Sequence, residues 1–135
     1  MAIELPSQVT ERLAKERVIW LTTTKVDGTP LPNPVWFLWN GSQFLVFTEP
    51  GSLKIKNMTR NPRVALNLNS DFDGSDVAIF QAEAEVSGAS VSQSELSGYL
   101  SKYQEGLASI GLTHDILTSS YRLVRLTPIK FRTAS

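Results

Sequence analysis

The run Asn33-Pro34-Val35-Trp36-Phe37-Leu38-Trp39-Asn40-Gly41-Ser42-Gln43-Phe44-Leu45-Val46-Phe47-Thr48-Glu49-Pro50-Gly51-Ser52-Leu53-Lys54-Ile55-Lys56-Asn57-Met58-Thr59 changes character three times. Asn40-Gly41 is a hairpin signal between two apolar segments. Residues 43–48 read as a strand, Pro50-Gly51 as a turn, and a helix begins at Ser52. Ser52, Lys54, Lys56 and Asn57 gather at that helix start. Free backbone N–H groups, the positive end of the helix dipole, hydroxyls and an ammonium all favour an anion such as phosphate. The aromatic hairpin beside them offers a flat apolar wall, which fits a phosphorylated, ring-containing small molecule. An ordinary solvated helix start with a serine cap accounts for the same four residues equally well.

Residues 35–39 carry no polar side chain on either face of the strand. In a single antiparallel sheet one face would be wet, so both must be covered. One face fills a barrel interior, and the other calls for a ligand or a second subunit. Trp20, Trp36 and Trp39 enlarge that demand, and a homodimer meets it economically.

Upstream, Val18-Ile19-Trp20-Leu21-Thr22-Thr23-Thr24 is a strand by its β-branched and aromatic content. Val26-Asp27-Gly28-Thr29 is a turn. Pro30, Pro32 and Pro34 remove alternate backbone donors, which suits a sheet edge or a bulge rather than a central ladder. Before them a short helix, capped by Ser7, places Val9, Leu13 and Ala14 on one face and lies over a barrel end. Downstream, Asn61-Pro62 stops the helix that began at Ser52. Residues 63–69 and 77–86 alternate as strands, with Ala82 and Ala84 small, Glu83 and Glu85 on the wet face, and Gly88 closing the second. Residues 93–110 form a helix carrying Leu96, Leu100, Tyr103 and Leu107, and residues 113–119 a short second one. Residues 121–127 alternate again until Pro128 interrupts before residues 129–132. The expectation is one domain over residues 1–135, mainly β (α+β), with a six-stranded antiparallel barrel and short flanking helices.

The composition narrows function. The 135 residues are 41% hydrophobic and 19% charged with a formal net charge of zero. That describes a globular domain without the basic excess of a nucleic-acid binder. No cysteine is present, so disulfides and thiolate metal sites are excluded, and His114 is the only histidine. No metal site is expected. No apolar run approaches the roughly 20 residues that span a bilayer. The charged N-terminal residues do not form a signal peptide, so the expected location is cytoplasmic, away from membranes. His114-Asp115 lacks the nucleophile turn of a hydrolase. Asp71-x-Asp73-Gly74-Ser75-Asp76 has Asp76 where a calcium loop needs glycine and Ala82 where it needs glutamate, so it reads as a polar turn. No dinucleotide or P-loop fingerprint occurs.

Taken in order, Val18-Ile19-Trp20-Leu21-Thr22-Thr23, Asp27-Gly28-Thr29-Pro30, Pro34-Val35-Trp36-Phe37-Leu38-Trp39, Pro50-Gly51-Ser52-x-Lys54-x-x-Asn57 and Asn61-Pro62-Arg63-Val64-Ala65-Leu66 are similar to the pyridoxamine 5′-phosphate oxidase-like split-barrel superfamily. The likeness is closest to its small branch of deazaflavin (coenzyme F420)-dependent enzymes. The resemblance implies a six-stranded split-barrel homodimer with cofactor sites at the subunit interface. It implies that Thr48, Ser52, Lys54 and Asn57, with Lys56 nearby, anchor the phosphate of F420 or FMN. The backbone of Pro34, Val35 and Trp36 would lie along the ring system. Leu53 stands where FMN-binding members commonly carry arginine, and the C-terminal end offers Lys130 and Arg132 without a histidine, so pyridoxamine phosphate oxidation itself is not expected. The function implied is hydride transfer from F420 or FMN to a small organic acceptor. The alternative is a non-catalytic flavin or deazaflavin binder or store, since no residue stands out as a catalytic acid or base.

Overall fold

In the computed structural model of the chain, which describes residues 3–86 and 90–133 with the side chain of His114 excepted, β2 and β3 are separated by one residue and yet stand at opposite edges of one sheet. The elements run α1 (Ser7–Lys15), β1 (Val18–Thr24), β2 (Pro30–Trp36), β3 (Leu38–Trp39), β4 (Phe44–Thr48), α2 (Leu53–Arg60), β5 (Arg63–Leu68), β6 (Ile79–Glu85), α3 (Gln93–Lys102), α4 (Gln104–Ser109), α5 (His114–Ser120) and β7 (Arg122–Arg132). The strand order is β2-β1-β5-β6-β7-β4-β3, and every pairing is antiparallel. A flat sheet of that width would hold its edges about 29 Å apart at ~4.8 Å per step. The single residue Phe37 spans about 7 Å at most. The sheet therefore curls until its edges meet, giving the split-barrel outline.

Local sequence explains each turn of this path. Pro30, Pro32 and Pro34 lie in the edge strand β2, opposite Thr24, Thr22 and Trp20 of β1, where missing donors do least harm. Gly28 has φ of 89°, and the Asp27 carboxylate accepts from the Thr29 N–H at 3.0 Å, closing the β1–β2 turn. Gly41 has φ of 102°, and Asn40 Oδ1 accepts from the N–H groups of Ser42 and Gln43. In the 70–76 loop, Asp71 accepts from Ser75, forming the polar turn read from the sequence. Along β6 Ala82 and Ala84 are buried while Glu83 and Glu85 are exposed.

Several sequence expectations need correction. The described sheet has seven strands, not six, because Phe37 leaves the ladder and cuts the 35–39 run into β2 and a two-residue β3. Residues 93–110 are two helices, since Tyr103, at φ −112° and ψ 18°, breaks the helical path between α3 and α4. Pro128 does not interrupt β7: Pro128 pairs with Ala82 and Lys130 with Gln81, so Ile129 bulges and the strand continues. Ser7 is the first helical residue rather than the cap, Pro6 holds the cap position, and Ala14 is exposed. On the second face of residues 35–39, Trp36 and Leu38 pack on this chain's own helix layer while remaining partly exposed. Gly88, expected to close β6, lies outside the described residues.

Two apolar clusters result. The barrel interior holds Phe37, Phe44, Phe80, Leu21, Leu66 and Leu126, all fully buried, each worth about 1.5–3 kcal/mol of hydrophobic transfer. A second cluster of Tyr99, Tyr103, Leu107 and Leu117 packs on Trp36, Leu38 and Phe47 outside the barrel. Polar bonds pin this helix layer at both ends. At the start of α3, Glu95 closes a capping box with Ser92 and forms a bidentate pair with Arg125 of β7 at 2.7 and 2.9 Å. The Arg125 hydrogen bonds hold the Glu95 carboxyl well below the ordinary carboxylate range. At its end, the Phe37 N–H donates to the Tyr103 hydroxyl at 2.8 Å. The hydroxyl's single proton is shared between the carbonyls of Phe37 and Arg17. Lys102 Nζ donates to the carbonyls of Phe37 and Leu13 and sits 3.7 Å from the Phe37 ring centroid. Burial pushes its pKa down to about 8.

Two tests follow from this pinning. Tyr103→Phe keeps the ring but leaves the buried Phe37 N–H without its acceptor, and should cost about 1–3 kcal/mol in urea unfolding; an unchanged midpoint would contradict the role. Because the folded Glu95 pKa lies below its unfolded value, the contribution of the pair is complete above about pH 4.5 and fades as pH falls toward the folded pKa. Glu95→Gln should therefore be less stable than wild type by about 1.5–3 kcal/mol at neutral pH. That gap should narrow steadily in melts at progressively lower pH, and a pH-independent gap would refute it.

Candidate functional site

The cavity follows from where β4 ends. Thr48 is its last residue, the turn at Glu49, Pro50 and Gly51 reverses the chain, and Ser52 caps α2. Ser52 Oγ accepts from the Ile55 N–H at 3.3 Å and lies 3.4 Å from Thr48 Oγ1. The Ser52 carbonyl accepts from the Lys56 N–H. The first N–H groups of a helix lack intrahelical acceptors. Among the described residues, those of Leu53 and Lys54 remain available. The first turn of α2 itself contains no acidic residue to offset the positive helix end.

This corner opens into a cavity of about 400 Å³. Pro34, Val35 and Trp36 of β2, Phe47 and Thr48 of β4, and Glu49, Ser52 and Lys54 line its barrel side. Tyr99, Ile110, Leu112, Leu117 and Tyr121 line the side built by the helix layer. Among the described lining residues Lys54 is the only cation, and Glu49 supplies the one carboxylate. Trp36 is held by a parallel stack on Tyr103, with centroids 4.7 Å apart and planes at 6°. Phe47 meets Tyr99 edge-on at 4.9 Å. Burial pushes the Tyr99 phenol above its ordinary range, with Tyr103 and Tyr121 adding to the shift. That phenol is a neutral wall with a hydroxyl. The arrangement joins a corner carrying two hydroxyls and one ammonium to an aromatic slot.

Six of the eight residues singled out in the sequence meet around this space: Pro34, Val35, Trp36, Thr48, Ser52 and Lys54. Lys56 and Asn57 do not line it. Helical rotation carries Lys56 to an exposed face, while Asn57 turns inward, is 1% exposed, and donates to Thr23 Oγ1 at 3.0 Å. Arg60 is engaged with the Thr24 carbonyl and Asn57 Oδ1. Sequence reasoning missed the contribution of Tyr99, Ile110, Leu112, Leu117 and Tyr121. Leu96, Leu100, Tyr103 and Leu107 marked an apolar helix face there, but nothing local said which barrel surface that face would cover or that Tyr99 and its neighbours would line a cavity.

With the geometry in hand, comparison with known proteins is informative. The model of the pyridoxamine 5′-phosphate oxidase family matches residues 5–133. The chain belongs to this family. Solved structures agree on the split-barrel fold of the family. An F420 reductase superposes with a TM-score of 0.72 at 19% identity, covering 96% of this chain and all (100%) of that one. A heme storage protein from Vibrio cholerae gives a TM-score of 0.72 at 16% identity, covering 97% and 95%. An FAD-binding protein from Mesorhizobium loti gives 0.71 at 19%, covering 94% and 90%. These likenesses are of fold. No curated protein matches the chain.

The placement of Asn57 makes its own prediction. Asn57→Ala leaves the buried Thr23 hydroxyl unpaired and opens a hole under α2, so thermal and urea stability should fall by about 1–3 kcal/mol. Stability equal to wild type would show that the Asn57–Thr23 pair carries no weight.

Proposed function

We propose that this family member is an oxidoreductase that binds F420 or FMN in the cavity and serves hydride transfer to a small organic acceptor. The supporting observation is the single space in which the Thr48–Ser52–Lys54 corner meets the Trp36, Phe47 and Tyr99 wall. Lys54 and the N–H groups of Leu53 and Lys54 suit a phosphate by charge and by donor geometry. The Thr48 and Ser52 hydroxyls add donors, and the Pro34-Val35-Trp36 strand suits the edge of a flat ring system. When bound, the cofactor supplies the hydride chemistry. The protein's part is to hold the ring against Trp36, keep water from its buried side and fix the phosphate end. Leu53, 48% exposed, adds no second cation, which favours F420 over FMN. The family resemblance adds a homodimer with sites at the interface, and sedimentation of the purified protein tests that part.

A second reading is a carrier or store that binds the cofactor without turnover. Its support is the neutral Tyr99 wall, where burial opposes loss of the phenolic proton. A fold shared with a heme storage protein also supports it.

Parallel titrations with F420 and FMN, read by intrinsic tryptophan fluorescence, should saturate with tighter binding of F420. Lys54→Ala should weaken that binding by roughly 1.5–3 kcal/mol, the range of a charged hydrogen bond; equal dissociation constants would sink the anchor. Oxidation of the reduced cofactor on adding acceptors supports the enzyme, whereas binding without turnover across an acceptor panel supports the store.

A further inference from the structure

The aromatic wall is held from behind by two residues that do not line the cavity. Tyr103 stacks flat on Trp36, and its hydroxyl is bonded to backbone groups of Phe37 and Arg17, so the phenol ring is fixed. Gly106, in α4, lies against the same indole. A Cβ placed on Gly106 would stand 2.8 Å from Cη2 and 3.1 Å from Cζ2 of Trp36. Its φ is not among the positive ones, so the backbone does not require glycine there, and alanine would favour the helix. What position 106 lacks is room. Any side chain forces either the indole or α4 to move. Trp36 lines the cavity, and α4 runs directly into Ile110 and Leu112, which line it too. Either response alters the slot.

We propose that Gly106 and Tyr103 are positioning residues that set the width of the cavity through Trp36, and thereby select the ring system it accepts. This rests on the reading of the cavity as a flavin-type cofactor site. The absent Cβ at 106 lets the indole lie flat on Tyr103, and that leaves the slot open.

The test compares wild type, Gly106→Ala, Trp36→Phe and the double variant in titrations with F420 and FMN. Acrylamide quenching and near-ultraviolet circular dichroism are measured without cofactor. Gly106→Ala should raise the dissociation constant of the ring cofactor by about 10- to 200-fold, the range for one misfitting methylene in an apolar pocket. Adding Trp36→Phe should bring binding back to that of Trp36→Phe alone. A merely structural glycine would give no such rescue. Binding by Gly106→Ala equal to wild type, or a double variant as weak as Gly106→Ala, would overturn the proposal. If wild type binds neither cofactor, the cofactor reading falls by itself. The ligand-free arm still decides the indole's position: changed quenching and a weakened aromatic band in Gly106→Ala support the displacement, and unchanged spectra refute it. Should Gly106→Ala fail to fold, recovery of folding by Trp36→Phe supports the clash, and continued failure counts against it.

Discussion

The backbone of Phe37 is the constraint from which the rest of the architecture follows. Its residue is the only link between the two edges of a seven-stranded sheet, so it must leave both ladders while remaining fully buried. A buried amide outside a ladder needs its bonds from elsewhere. They come from Tyr103, which accepts from the N–H and donates to the carbonyl, and from Lys102, which donates to the same carbonyl. Both donors sit at the joint between α3 and α4. Closing the barrel and docking the helix layer are therefore one event: without the helices the seam is left with unpaired polar groups, and without the seam the helices lose their anchor.

That coupling carries directly to the cavity. Trp36 is the residue before the seam, and its indole lies on Tyr103, the residue that satisfies the seam. The wall of the candidate site is thus placed by the same contact that closes the fold. At the other end of α3 the Glu95–Arg125 pair, reinforced by Asn40 and Ser92, ties the helix to β7 and to the β3–β4 turn. Tyr99 lies between these two fixed ends. A pair with only 11% and 12% of its side chains exposed contributes chiefly by fixing geometry, because desolvation offsets much of its attraction.

The barrel strands were legible in the sequence because alternation, Asp27-Gly28, Asn40-Gly41 and Pro50-Gly51 are local signals with local causes. Pro30, Pro32 and Pro34 left β2 an edge or a bulge for the same reason, and the edge is what forms. The anion corner was half legible. Ser52 and Lys54 stood out by their place at a helix start, but Lys56 and Asn57 share that neighbourhood in sequence and not in space. Asn57 is buried under α2 and donates to Thr23 of β1, a partner distant in sequence that no local pattern names. The helix layer's destination was not legible. An apolar face at residues 96–107 states that something must be covered, and only the off-ladder backbone at Phe37 determines what.

The cavity's two halves belong to different bodies, and this governs how the site can vary. Thr48, Ser52 and the start of α2 are continuous with the barrel, whose ladders resist displacement. Tyr99 and Leu117 belong to helices, and Ile110 and Leu112 to the connection between α4 and α5, in a layer attached by two polar clusters and aromatic contacts. A substitution in the helix layer can thus widen or narrow the aromatic slot while the Thr48–Ser52–Lys54 corner stays as it is. One in α2 changes that corner without moving the slot. The donor-rich corner and the aromatic slot are in this sense separately variable parts of one cavity, joined where Phe47 meets Tyr99 and, most directly, at Trp36. That residue is attached to the barrel through its backbone and to the helix layer through its side chain.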